Sequence, residues 1–277
     1  MPGATLDHVS KTFTVSQSWL GTFLRCPSLA GRELRGEVPS SDSDATALGT
    51  AWHEYIEDRL LGVRPTLARK LAVDHFKGKF NRGEFELVQI KTWPTLEQRL
   101  RTLADTFEEQ IYPQLEPVGL LDFSFACPVL TTTDGWDLVL KGTVDFVGDS
   151  GGMLDWKTAG RTGKGSTWDP NEVKFKIQAD AYTYAANELG FADPTEFTYV
   201  VAEKGPRQMP VQWLTVEKGP NDWAWLEALI EDALVCALAD VWPVNHTSHL
   251  CSAKWCGAWD QCRGAVIARR SVTAQNV

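Results

Sequence analysis

Apolar and polar positions along this chain follow two successive periods, and the change between them marks out the predicted elements. The N-terminal part has helical spacing. Trp19, Leu20 and Phe23 follow Ser16, a good capping residue, so a short helix is predicted that ends near Cys26-Pro27. Residues 36–44 read as a polar loop. From about Thr46 to Leu61, the apolar residues Leu48, Trp52, Ile56 and Leu60 recur every four positions, and Gly62 follows as a stop. Thr95 and Gln98 have the spacing of a capping box and would open a helix with Leu96, Leu100, Leu103, Phe107 and Ile111 on one face.

The alternation then shortens. Residues 121–130 and 136–147 read as strands joined by an Asp134-Gly135 hairpin turn. A second turn at 148–152 leads into a third strand, Met153 to Lys157, which makes a meander. A Gly-rich polar loop (159–171), a helix (172–189, closed by Gly190), strands at 195–202 and 209–216 and a helix at about 220–240 complete the order. This is an α/β (α+β) plan.

With 277 residues and 43% apolar content, one good core is expected. The reading is a single domain over 1–277, with a core at about 45–240 and cysteine-bearing parts at about 16–35 and 245–265. No apolar run is long enough to span a membrane and the first residues lack the apolar stretch of a signal peptide, so a cytoplasmic protein without a membrane partner is expected. The formal net charge of -9 argues against a nucleic-acid partner. That objection weakens if carboxylates are clustered around divalent cations, which neutralise them locally.

Such a cluster is present in residues 142–158, GTVDFVGDSGGMLDWKT. Asp145 lies on one strand, and the next carries Asp155-Trp156-Lys157. Side chains alternate on a strand, so Asp155 and Lys157 share a face and Trp156 takes the other. The turn can bring Asp145 beside Asp155. Two carboxylates suit Mg²⁺ or Mn²⁺, with the Trp156 carbonyl as a further ligand, and an ammonium beside them suits phosphodiester cleavage. In the helix around Trp52, the residues Gly49, His53 and Glu57 form a stripe beside the apolar one, so His53 is a further candidate ligand. Gln178 and Tyr182 share a helix face at i, i+4. A local basic excess of Arg161, Lys164, Lys174 and Lys176, with Trp168 among them, offers contacts to DNA. Arg263, Arg269 and Arg270 near the C-terminal end could track a strand.

In chain order GTAWH (49–53), GTVD (142–145), DWK (155–157) and QADAY (178–182) resemble the RecB-like branch of the PD-(D/E)XK nuclease superfamily. The resemblance spans roughly residues 16–262. It implies a restriction-endonuclease-like core, a central mixed sheet flanked by helices. It also implies His53, Asp145 and Asp155 as metal ligands, Lys157 as the catalytic lysine, and Gln178 and Tyr182 as residues that contact DNA or orient the site. Asp155 stands where Glu is commoner.

Six cysteines are present, three of them as C-x4-C-x5-C at Cys251, Cys256 and Cys262, with Cys26 far upstream. A set of one N-terminal and three C-terminal cysteines resembles the iron–sulfur nucleases, namely the AddB subunit and the CRISPR-associated four-cysteine exonucleases. That resemblance implies a 4Fe-4S cluster joining the chain ends. Zn²⁺ is the alternative, because four thiolates also suit tetrahedral zinc. Cys127 and Cys236 read as core thiols. The function expected is a metal-dependent DNA exonuclease acting on single-stranded ends, in phage or bacterial replication, recombination or repair. The alternatives are a structure-specific endonuclease and a non-catalytic DNA-binding module. No phosphate-binding helicase motif occurs, so any unwinding falls to a helicase or recombination partner.

Overall fold

A computed structural model describes residues 3–38, 42–87, 90, 92–191, 194–245, 247–248, 251–253 and 256–264. In chain order the elements are β1 (Ala4–Asp7), β2 (Thr12–Ser16), α1 (Gln17–Arg25), α2 (Pro27–Leu34), β3 (Asp42–Ser43), α3 (Asp44–Leu60), α4 (Pro65–Asn81), β4 (Phe85–Glu86) and α5 (Trp93–Thr106). They continue with β5 (Val118–Thr131), β6 (Asp137–Gly148), β7 (Met153–Ala159), α6 (Pro170–Val173), α7 (Ile177–Glu188), β8 (Glu196–Glu203), β9 (Gln212–Glu217) and α8 (Pro220–Ala239). This is a mixed α/β fold, with the larger sheet ordered β1-β2-β6-β7-β8-β9 and β5 paired with β6. Among the described residues no helix is long and apolar enough to cross a membrane.

The chain forms two compact units. The first combines residues 1–40, 126–142 and 221–277. Its β1 and β2 form an antiparallel hairpin, and β2 runs parallel to the start of β6, pairing Thr12 with Asp137. Ser16 caps α1 as expected, its hydroxyl accepting the Trp19 N–H at 3.3 Å. Cys26 then ends α1 and begins α2, and Pro27 fixes the first turn of the second helix. The rings of Trp19, Phe23 and Trp242 pack together over Gly31, where any Cβ would overlap the Trp242 indole. The hairpin and α2 are additions to the sequence-based plan.

The second unit combines residues 41–125 and 143–220. Ser43 caps α3 by accepting the Thr46 N–H at 3.2 Å. The predicted stripe of Leu48, Trp52 and Ile56 is fully buried, packed with Phe76, Leu100, Leu103, Phe107 and the sheet residues Phe146, Trp156 and Val200. The Trp52 indole donates to the Leu103 carbonyl at 3.0 Å, tying α3 to α5. In the sheet, β7 runs antiparallel to β6, parallel to β8, and β8 antiparallel to β9.

Two expectations change and one helix is added. The helix expected to open at a Thr95–Gln98 box begins at Trp93 instead. Pro94 starts its first turn and the Thr95 hydroxyl pairs with that of Thr92. Residues 172–189 are not one helix: α6 stops at Val173 and α7 starts at Ile177. The break is held by Lys218, whose ammonium donates to the Lys174 carbonyl at 2.7 Å and pairs with Asp180 at 2.6 Å, both side chains buried. A helix α4 also fills the stretch 65–81, where the buried stripe is mostly small, Ala68, Ala72 and Val73, with Phe76.

Candidate active site

The site is built on the β6–β7 hairpin. The ladder pairs Phe146 with Leu154 and Val147 with Met153, which leaves Asp145 and Asp155 just beyond its last pair. There the Asp145 carboxylate, through Oδ2, accepts the Trp156 N–H at 2.9 Å. Trp156 lies in the core against Phe146 and Phe107, which sends Asp155 and Lys157 to the opposite face. Asp155 is buried, and the Lys157 ammonium is in contact with its Oδ2. Asp155 Oδ1 accepts a hydrogen bond from the Gln178 amide at 2.6 Å.

From α3, one turn beyond Gly49, His53 places Nε2 2.8 Å from the Trp156 carbonyl and Nδ1 3.5 Å from Asp145 Oδ2. Burial lowers the imidazole pKa, so the ring is neutral near pH 7. Asp145 is pushed well above the usual carboxylate range, first by burial and then by the neighbouring charge of Asp155. Two buried carboxylates this close repel unless a proton or a cation lies between them. The donor set is oxygen-rich, two carboxylates and a backbone carbonyl with one imidazole, which fits a hard divalent cation. Among the described residues no three His, Cys, Asp or Glu side chains already form a metal cage; the charge balancing Asp155 is the Lys157 ammonium.

The expected residues divide by position. Asp145, Asp155, Lys157, His53, Gln178 and the Trp156 carbonyl converge. Tyr182 is buried, its ring packed edge-on against Phe125 and Phe197. Arg161 and Lys164 are exposed on the loop after β7, with the Arg161 guanidinium donating to the Lys164 carbonyl at 3.2 Å. Lys176 covers the Trp168 ring at 4.3 Å, and Tyr199 lies 5.4 Å from the same ring, so Trp168 is engaged within the fold. Arg269 and Arg270 lie outside the described residues.

Two neighbours escaped the sequence reading. Asp122, on β5, has a left-handed backbone (φ 44°) and lines a small cavity with His53, Glu57 and Asp145. Burial raises the Glu57 carboxyl, and the neighbouring charge of Asp122 raises it further. Lys204, just past β8, lines an open cleft of about 400 Å³ with Thr46, Thr50, His53, Lys157 and Thr158. Its pKa is lowered chiefly by burial. No local pattern in the sequence marks either residue. Asp122 depends on a kink within a strand and Lys204 on parallel pairing between distant segments.

The four expected cysteines meet elsewhere, in the first unit. Cys26, Cys251, Cys256 and Cys262 line one cavity of about 230 Å³ as free thiols. Burial raises the Cys256 thiol, and the other three thiols raise it further. They do not form a ready metal-ligand group, although four thiols around one cavity is a donor set that suits a soft metal centre. Cys127 is buried as expected, while Cys236 on α8 is only half-buried.

A family model described as the PD-(D/E)XK nuclease superfamily matches residues 14–263. Among solved structures, a chain from Eubacterium rectale described as a candidate exonuclease aligns with a TM-score of 0.55 and 13% identity, covering 85% of this chain and 86% of that one. At that identity the likeness is one of fold. A second, described only as SSO0001, reaches a TM-score of 0.41 at 13% identity, with 91% and 86% covered, and carries no argument. No curated protein matches significantly.

Proposed function

The chain belongs to the PD-(D/E)XK nuclease superfamily, and on that premise we propose that it is a divalent-metal-dependent deoxyribonuclease that trims the ends of single-stranded DNA. The observation that carries this reading is the convergence of Asp145, Asp155 and Lys157 on one face of the β6–β7 hairpin, with His53 on the Trp156 carbonyl. The exonuclease part is supported by the description of the Eubacterium rectale chain of like fold.

Asp145, Asp155, the Trp156 carbonyl and His53 would hold Mg²⁺ or Mn²⁺. Such a cation, when bound, supplies charge neutralisation at the phosphoryl oxygens and acidifies water. Gln178 fixes the rotamer of Asp155 through its 2.6 Å bond. The Lys157 ammonium orients the attacking water or balances the charge that develops on the phosphoryl group. The cleft hydroxyls of Thr46, Thr50 and Thr158, with Lys204, receive backbone phosphates, which position a strand without reading its sequence. Arg161, Lys164, Lys174 and Lys176 extend that track. The role assigned is phage or bacterial DNA replication, recombination or repair, with any unwinding done by a helicase or recombination protein. The four thiols hold a 4Fe-4S cluster in this reading, with zinc as the alternative, and the centre is structural.

The test is cleavage of end-labelled single- and double-stranded DNA with Mg²⁺, Mn²⁺ or EDTA. The expected result is metal-dependent shortening from an end, reduced about a hundredfold or more by Lys157→Ala. Equal cutting of closed circles would make the enzyme an endonuclease. No cutting with any metal would leave a DNA-binding module.

A further inference from the structure

Phe175 is an exposed aromatic side chain of the second unit. It is 73% exposed, in the three-residue break between α6 and α7. A phenylalanine ring is large and apolar, and leaving it in water forgoes burial that this unit gives rings such as Phe76, Phe107 and Phe197. Its immediate neighbours are cations: Lys174, whose ammonium lies 5.0 Å from the ring centre, and Lys176.

The backbone carrying the ring is held firmly. The Phe175 N–H donates to the Glu172 carbonyl and the Lys176 N–H to the Val173 carbonyl, both at 3.1 Å. The Lys174 carbonyl is capped by the buried Lys218–Asp180 pair. Burying an ammonium to hold one loop carbonyl is expensive unless the loop must keep its shape. Gln178, three residues after Phe175, bonds the active-site carboxylate of Asp155. The other aromatic ring of this basic stretch, Trp168, is already engaged by Lys176 and Tyr199.

We propose that Phe175 is a base-stacking platform: one nucleobase of a single strand rests on its ring while Lys174 and Lys176 hold the flanking phosphates, so that the site selects unpaired DNA. The inference rests on the reading of this site as one that takes nucleic acid. Its chemistry is general, since every base has a face that stacks on an aromatic ring, and a duplex keeps those faces occupied. A cation-flanked ring, as opposed to a bare apolar patch, fits a polyanion with aromatic bases better than another protein surface.

Binding is measured with Lys157→Ala protein, which retains Phe175, and single strands carrying the fluorescent base 2-aminopurine at successive positions. One position near the end is expected to quench. Phe175→Ala abolishes that quench and weakens single-strand binding about tenfold, while Phe175→Trp keeps both. An abasic residue at the same position weakens binding as much as Phe175→Ala does, and the two together weaken it no further. In the cleaving protein, Phe175→Ala narrows the preference for single over double strands. Unchanged single-strand binding by Phe175→Ala, or equal loss on both kinds of DNA, overturns the proposal and leaves the nuclease reading intact. Quenching by a protein that cleaves nothing sinks the hydrolytic reading and leaves the platform standing. If Phe175→Ala instead converts a dimer to a monomer in sedimentation, the ring belongs to a contact between copies and the proposal falls.

Discussion

Gln178 shows how much a single hydrogen bond can govern. Its amide is what orients Asp155 Oδ1, and the other oxygen of that carboxylate is left to Lys157. Gln178→Leu keeps the size and removes the donor, so Asp155 loses its fixed rotamer. Cleavage is expected to fall about ten- to a hundredfold, with recovery at raised Mn²⁺ concentration because the defect lies in holding the cation. A second residue sets the acid stability. Burial raises the Glu108 carboxyl, but hydrogen bonds from Arg59 and Tyr55 outweigh it and hold its pKa below the ordinary value. The unfolded chain therefore binds this proton more readily than the folded one. The stabilisation from Glu108 is complete above the ordinary glutamate pKa, about 4.3. It is lost as pH falls through the lower folded value. Thermal melts of Glu108→Gln should show a flatter dependence than the native protein in this acid window; an unaltered slope would refute the assignment.

Among the elements, the β6–β7 hairpin was legible from sequence because a two-residue period and a short turn together fix which side chains share a face. That is why Asp145, Asp155 and Lys157 could be placed before any coordinates. The α6–α7 break was not legible. Helical spacing continues through residues 172–189, and what interrupts it is Lys218, more than 40 residues further on, taking the Lys174 carbonyl. Helix α4 was missed for a different reason, a buried stripe made largely of small residues that gives little periodic signal. The Lys218–Asp180 pair supplies a test at this scale. Lys218→Met strands a buried carboxylate and frees the loop, and should cost about 3–5 kcal/mol, read as a fall in denaturation midpoint. Combining it with Asp180→Leu should restore much of that loss, whereas additive losses would show that the pair is not coupled.

For the whole molecule, the decisive question is what the four thiols of the first unit hold. A brown protein whose visible absorption vanishes in Cys256→Ser, together with a lower melting temperature, is the outcome expected of an iron–sulfur centre. A colourless protein with stoichiometric zinc would select the alternative, and a metal-free protein melting unchanged in Cys256→Ser would dismiss both. The count and uneven spacing of these cysteines, with the family resemblance, lead to the expectation that Cys26 joins the three C-terminal ones, and all four line one cavity. The segment arrangement of the first unit bears on how it is made. Residues 3–38 emerge from the ribosome early, yet their partners at 221–264 emerge only after every residue of the second unit. Helices α1 and α2 must therefore wait, with Trp19 and Phe23 unclothed, while the β6–β7 hairpin is already free to form. Holdase chaperones would be recruited to the nascent chain at its first helices.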